Sequence, residues 1–133
     1  MSNLDITNVD TGSFELSGGE FRDELVTFAG ADTFVAGTIL ARDTGTSKLV
    51  LYVKGGVVAG NGIPNSVLAH KLVATGGGDE SGRVMIKGTV NLGRLVIDSD
   101  GDASNIDGVV VDELGARGIT AIEVEQLAEL DNQ

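Results

Sequence analysis

The chain has 133 residues, 41% of them apolar, yet only four Phe, one Tyr and no Trp; it supports one modest core of Val, Leu, Ile and Ala, with little aromatic bulk for a ligand pocket. No Cys is present, which excludes disulfides, thiolate metal sites and a cysteine nucleophile and frees folding from an oxidising compartment. The net charge of -11 is concentrated at the two ends, with no base before Arg22 and only Arg117 among the ten acids from Leu95 to Gln133, a field that repels nucleic acid and points to a protein partner.

Residues 1–19 are polar, acidic and Gly/Ser/Asn-containing, with apolar alternation only at Leu4/Ile6 and Phe14/Leu16 and a closing Gly18-Gly19 pair. They read as a flexible N-terminal arm. The start Met1-Ser2-Asn3-Leu4-Asp5 has no basic n-region and no apolar h-region, and nowhere do 18 apolar residues run together; synthesis in a cytosol is expected, and a membrane is not. Residues 20–133 read as a single β-rich domain. Leu25-Val26-Thr27-Phe28 is a short strand. Thr38 to Arg42 and Lys48 to Lys54 flank a five-residue loop, Asp43 to Ser47, with Gly45 at its centre, which predicts a hairpin. The apolar run Leu49 to Val53 predicts a strand covered on both faces. Gly55 to Gly62 reads as a flexible connection, and Pro64, the only proline, biases Ile63 to an extended conformation.

Val67 to Ala74 predicts one further strand, bounded by the turn Gly76 to Glu80. Arg83 to Asn91 alternates with period two, placing Val84, Ile86 and Val90 on one face and Arg83, Lys87, Thr89 and Asn91 on the other. Leu95-Val96-Ile97 continues that strand. One helix is expected from about Asn105 to Arg117, with an apolar stripe of Ile106, Val109, Val110 and Leu114, a cap at Ser104 or Asp107, and a stop at Gly118. Ile119 to Val124 returns to strand. The fold class is therefore mainly β with one helix, a small β-barrel or sandwich-like body.

Chemistry has little to work with. Asp98-Ser99-Asp100-Gly101-Asp102 suggests a cation loop, but a calcium-binding EF-hand loop starting at Asp98 requires Gly at Ala103 and Glu at Val109; a solvated turn before a helix N-terminus accounts for the acids. His70 is the only histidine, so neither a two-histidine metal site nor a serine triad can be assembled. Asp79-Glu80 and Asp112-Glu113 are paired carboxylates whose positions, in a Gly-rich turn and on a helix face, read as solvated surface. The Gly-rich stretches Gly55 to Gly60 and Gly76 to Gly78 lack the Gly-Lys-Ser/Thr ending of a phosphate loop. No catalytic residue, cofactor or metal is expected.

Three ordered segments resemble the lambda-type bacteriophage head decoration proteins, which stabilise capsids. Phe34-Val35-Ala36-Gly37-Thr38-Ile39-Leu40-Ala41-Arg42 is similar to the family's opening "AGT-hydrophobic-L-x-R" strand, with Lys48 to Tyr52 as its hairpin partner. Ser66-Val67-Leu68, then Val84 to Asn91 and Leu95-Val96-Ile97, are similar to its later strands and "LVID" exit. A helix ending in Arg117-Gly118-Ile119 is similar to its helix-to-strand junction. Lys87 stands where the family usually has Arg, and Glu123 to Gln133 extends as an acidic tail. The resemblance implies a homotrimer on the exterior of the virion capsid, at threefold and quasi-threefold positions of the expanded head. There it binds the major capsid protein and holds the shell against internal pressure, after synthesis in the host cytoplasm. Within that reading Leu4, Ile6, Phe14 and Leu16 are the expected capsid-binding side chains of the arm, each pair seated on one face of an added strand. The rival reading is a small acidic β-barrel binding module with a cation at Asp98 to Asp102.

Overall fold

Two long strands, β1 (Glu15–Phe28) and β7 (Gly78–Asn91), run antiparallel along nearly their whole length, from Glu15 opposite Val90 to Phe28 opposite Gly78. The computed structural model describes residues 15–97 and 106–123. Between these strands lie β2 (Asp32–Phe34), β3 (Ile39–Arg42), β4 (Leu49–Leu51), β5 (Pro64–Leu68) and β6 (Leu72–Ala74). A 3-10 turn (Leu92–Arg94), helix α1 (Gly108–Ala116) and β8 (Ile119–Ile122) follow β7. The sheet order is β1-β4-β3-β5-β7-β8, and the additional β1–β7 pairing closes the first five into a small barrel. β8 extends β7 in parallel, Gly88 opposite Ile119 through Asn91 opposite Ile122. β2 and β6 form a separate two-stranded sheet. Closure removes the exposed sheet edges that an open five-stranded sheet would present.

Several predicted elements appear as expected. β3 and β4 form the hairpin, its loop tied by Asp43 N–H to Lys48 O (2.8 Å) and by the Asp43 carboxylate accepting from Gly45 N–H (2.7 Å). The Leu49 to Val53 run is covered on both faces, Leu49 and Leu51 packing into one cluster and Val50 and Tyr52 into the other. Pro64 opens β5, the strand position where its missing N–H costs least. Asp107 caps α1, accepting from Val109 N–H (3.1 Å) and Val110 N–H (3.2 Å).

Other expectations are corrected. β1 is fourteen residues rather than the short strand Leu25 to Phe28, and residues 15–19, assigned above to the arm, are its first five. Its outer half pairs opposite charges across the ladder, Asp23 with Arg83 and Glu20 with Lys87 at ion-pair distances of 3.4 and 3.9 Å, while Phe21 packs against the core. The predicted strand Val67 to Ala74 is two, β5 in the barrel and β6 on β2. They are broken where Ala69 N–H donates to Arg83 O (2.9 Å) and the His70 ring accepts from Arg83 N–H (3.1 Å).

Val90 does not share a face with Val84 and Ile86. It joins the Met85 cluster, because β7 carries an extra residue between Met85 and Lys87 and Gly88 bends at φ +145°, which reverses the alternation. Leu95 to Ile97 is not a continuation of β7. The 3-10 turn intervenes, and Val96 then bridges Thr38 in parallel. The helix begins at Gly108, so Ile106 precedes it and Val109 falls a residue off the buried Val110/Leu114 line, 64% exposed.

The two faces of the sheet feed two cores. Ile39, Tyr52, Met85, Leu95, Val110 and Leu114 centre one, beneath the helix. Val26, Phe28, Leu40, Leu49, Leu68 and Val84 centre the other, which β2 and β6 join through Phe34, Leu72 and Ala74. Burial on this scale, at roughly 25 cal/mol per Å² of apolar surface, is the main stabilising term.

Asp107→Ala removes the helix cap and the Lys54 partner (2.7 Å) together. It is expected to lower the urea midpoint of unfolding with an unchanged m-value; a midpoint equal to wild type would show that the cap contributes nothing.

Candidate interaction surface

Of the four arm residues expected to seat on a partner, Leu4, Ile6 and Phe14 lie outside the described residues. Leu16 is the second residue of β1, half-buried, between the Glu15/Val90 and Ser17/Thr89 pairs. Gly19 N–H donates to the Glu15 carboxylate (3.1 Å), so the first turnings of β1 are fixed locally as well as by β7. The arm thus enters the fold at one end of β7. The last residue of β8, Ile122, lies opposite Asn91 at that same end. β1 therefore begins and β8 ends at the same end of β7.

The bases of the middle stretch are largely matched to acids inside the fold. Glu24 is the centre of the tightest group: Arg42 grips both its oxygens at 3.0 Å and Arg22 reaches one at 2.8 Å. Its carboxyl is held below the ordinary 4.5, chiefly by the Arg42 hydrogen bond and against the opposing effect of burial. Lys48 and the Thr27 hydroxyl hold Asp79, and Lys54 with the α1 backbone holds Asp107; both carboxyls are likewise lowered. The Glu24–Arg42 pair was not readable in the sequence, since the partners sit eighteen positions apart on β1 and β3, which lie on either side of β4 in the barrel.

The chemistry-bearing candidates are not brought together. His70 is exposed, with Nε2 accepting from Arg83 N–H and Nδ1 2.8 Å from Lys71 O, so the ring is engaged at both nitrogens with the backbone. Asp79 is in an ion pair on β7 rather than free beside Glu80, and Asp112 and Glu113 sit on α1. Asp98 to Asp102 lies outside the described residues. Among the described residues no three His, Asp or Glu side chains converge in a way that could hold a metal ion, and no helix is long and apolar enough to cross a membrane. Among the described residues, the exposed apolar side chains include Val57, Val58 and Ile63.

The family model described as bacteriophage lambda head decoration protein D matches residues 8–119. The matched span takes in Phe14, Leu16 and all of the barrel, while Leu4 and Ile6 precede it and the acidic tail follows it. No match was found among curated proteins.

A carboxylate whose folded pKa is lowered stabilises the fold above its unfolded pKa, and that contribution is lost as pH falls through the folded value. With Glu24, Asp79 and Asp107 all shifted downward, stability is expected to hold steady above about pH 5 and to fall progressively below about pH 4. Glu24→Gln is expected to cost about 1–2 kcal/mol at neutral pH and to flatten part of that acid loss. Urea titrations at a series of pH values check both, and parallel acid profiles for the two proteins would contradict the assignment to Glu24.

Proposed function

The chain belongs to the bacteriophage lambda head decoration protein family and has a capsid decoration role, and from that premise we propose that it is a homotrimeric cement protein. It binds the major capsid protein on the outer surface of the expanded head, at threefold and quasi-threefold positions, and stabilises the shell against internal pressure. The observation that carries this reading is the family match over residues 8–119, which spans the whole closed barrel. Its action is contact rather than catalysis: interface area, summed over many copies, is what resists expansion of a shell.

The arm supplies the attachment in this reading. Residues leading into β1 add as an extended segment to the capsid protein, taking affinity from main-chain hydrogen bonds and specificity from alternate side chains. Leu4, Ile6 and Phe14 provide those side chains, and Leu16 anchors the root in the barrel. Asp5 and Asp10 favour a basic strip on the shell.

Two measurements test the proposal. A reconstruction of decorated particles is expected to show three copies around each threefold and quasi-threefold point and none over hexamer centres; twofold-related pairs would rule out the trimer. Deleting residues 1–14, which spares all of β1, is expected to leave the melting temperature of the free protein unchanged and to weaken binding to undecorated expanded shells by at least roughly tenfold. Undiminished co-sedimentation of the truncated protein with shells would refute the role of the arm.

A further inference from the structure

The connection between β4 and β5, expected to be slack, is a built loop. Val53 N–H donates to Asn61 O (2.9 Å), Gly56 N–H to Val53 O (2.8 Å) and Asn61 N–H to Val58 O (2.9 Å), while the Asn61 side chain accepts from Val58 N–H (3.2 Å). Thr44 N–H donates to Ala59 O (2.9 Å) and ties the loop to the β3–β4 hairpin. The crossing is so close that a Cβ on Gly62 would lie 2.2 Å from Gly56 O. This frame holds apolar side chains outward: Val57 is 93% exposed, Val58 67% and Ile63 55%. A chain that hydrogen-bonds a loop in order to display valines to water presents a contact surface.

We propose that this loop, residues 55–63, is the surface through which copies of this chain meet, an inference that rests on the trimer reading above. Charge identifies the occupant. Gly55 to Ala69 contains no charged residue and is the longest such run in a chain of net charge -11. Three copies bring strongly acidic bodies together, with screening of only about 10 Å at 0.1 M salt. They meet with least repulsion where each is uncharged.

Shape agrees. A cyclic trimer needs two different patches on each copy, one received by the other. Val57, the most exposed of the three, offers the protruding patch, and a groove of about 380 Å³ lined by Phe28, Phe34 and Leu51, with Val58 and Asn61 of the loop as one wall, offers the receiving one. Asp32 and Asp43 also line it, each already accepting a local backbone N–H, so an uncharged tip suits the groove and an acidic one does not. The groove begins at Phe28, opposite Gly78, whereas the arm enters beside Val90 at the other end of β7. The loop is thus separate from the surface assigned to the shell.

The test uses the full chain. Val57→Asp/Val58→Asp changes two exposed side chains, so the melting temperature should be retained. Self-association, read by sedimentation velocity at high salt and by cross-linking on decorated shells, should weaken roughly tenfold or more. Because the chain has no native cysteine, Val57→Cys treated with a short bis-maleimide on shells should give covalently joined copies, while Glu20→Cys should not; this reading survives even if the aspartate variant fails to fold. Wild-type trimerisation by the aspartate variant would overturn the inference, as would loss of shell attachment with self-association intact, which would make the loop a capsid contact. If the unmodified protein forms no trimer in solution or on shells, the trimer reading itself falls and takes this inference with it.

Discussion

The antiparallel pairing of β1 with β7 is the contact on which the other features depend. It converts a sheet ordered β1-β4-β3-β5-β7 into a closed ring, in which β1 pairs along nearly its whole length with β7 and through Val26 with Leu49 of β4. It fixes where the arm emerges, because Glu15 lies opposite Val90. It also brings Glu24 to Arg42, since β1 must lie beside β4 and the β3–β4 hairpin for their side chains to meet. The pairing is unusual in being polar along its outer half. Asp23 faces Arg83 and Glu20 faces Lys87, opposite charges set directly across the ladder. Exposed pairs of this kind contribute little energy individually, but a like-charged mismatch would be unfavourable, and the arrangement therefore specifies register more than it adds stability.

The same economy governs charge in the whole molecule. Six basic side chains of the central stretch are committed to acids within the fold, which leaves the body close to balanced and concentrates the net negative charge at the ends of the sequence. The topology places the start of β1 and the end of β8 on either side of the last residues of β7. The opposite region carries the uncharged loop and the Phe28–Phe34 stack, ring centroids 4.4 Å apart.

How far the sequence alone foretold this differs by element for physical reasons. The hairpin at Asp43 to Ser47, the Asp107 cap and the Gly118 stop were legible because each is set by local chemistry, a turn, a carboxylate at a helix start, a residue without Cβ. The short ordered motifs also identified the family. The first half of β1 was not legible, since Glu15 to Asp23 has no apolar periodicity and becomes a strand only through a partner more than sixty residues away. The inversion at Gly88 was hidden for a related reason: period-two counting assumes an unbroken ladder, and a single bulge transfers Val90 to the other core. The split at His70 depends on bonds to Arg83, again a distant residue. The Gly55 to Gly62 loop was misread as slack because glycine marks both freedom and close approach, and only the crossing of Gly56 and Gly62 distinguishes them.

Closure by the first and seventh strands has a bearing on synthesis. β1 is complete at Phe28, but its partner is not finished until Asn91, so at ribosomal speeds of roughly 5–20 residues per second β1 waits several seconds without the strand it will pair with. Contacts of such long sequence separation form slowly even in a finished chain. During that interval a strand rich in like-signed carboxylates, interrupted by Gly18-Gly19 and short of contiguous apolar residues, is a poor template for pairing with neighbouring nascent chains. The polar half of β1, which looks like a weakness in the finished barrel, thus acts as a gatekeeper while the chain is still being made.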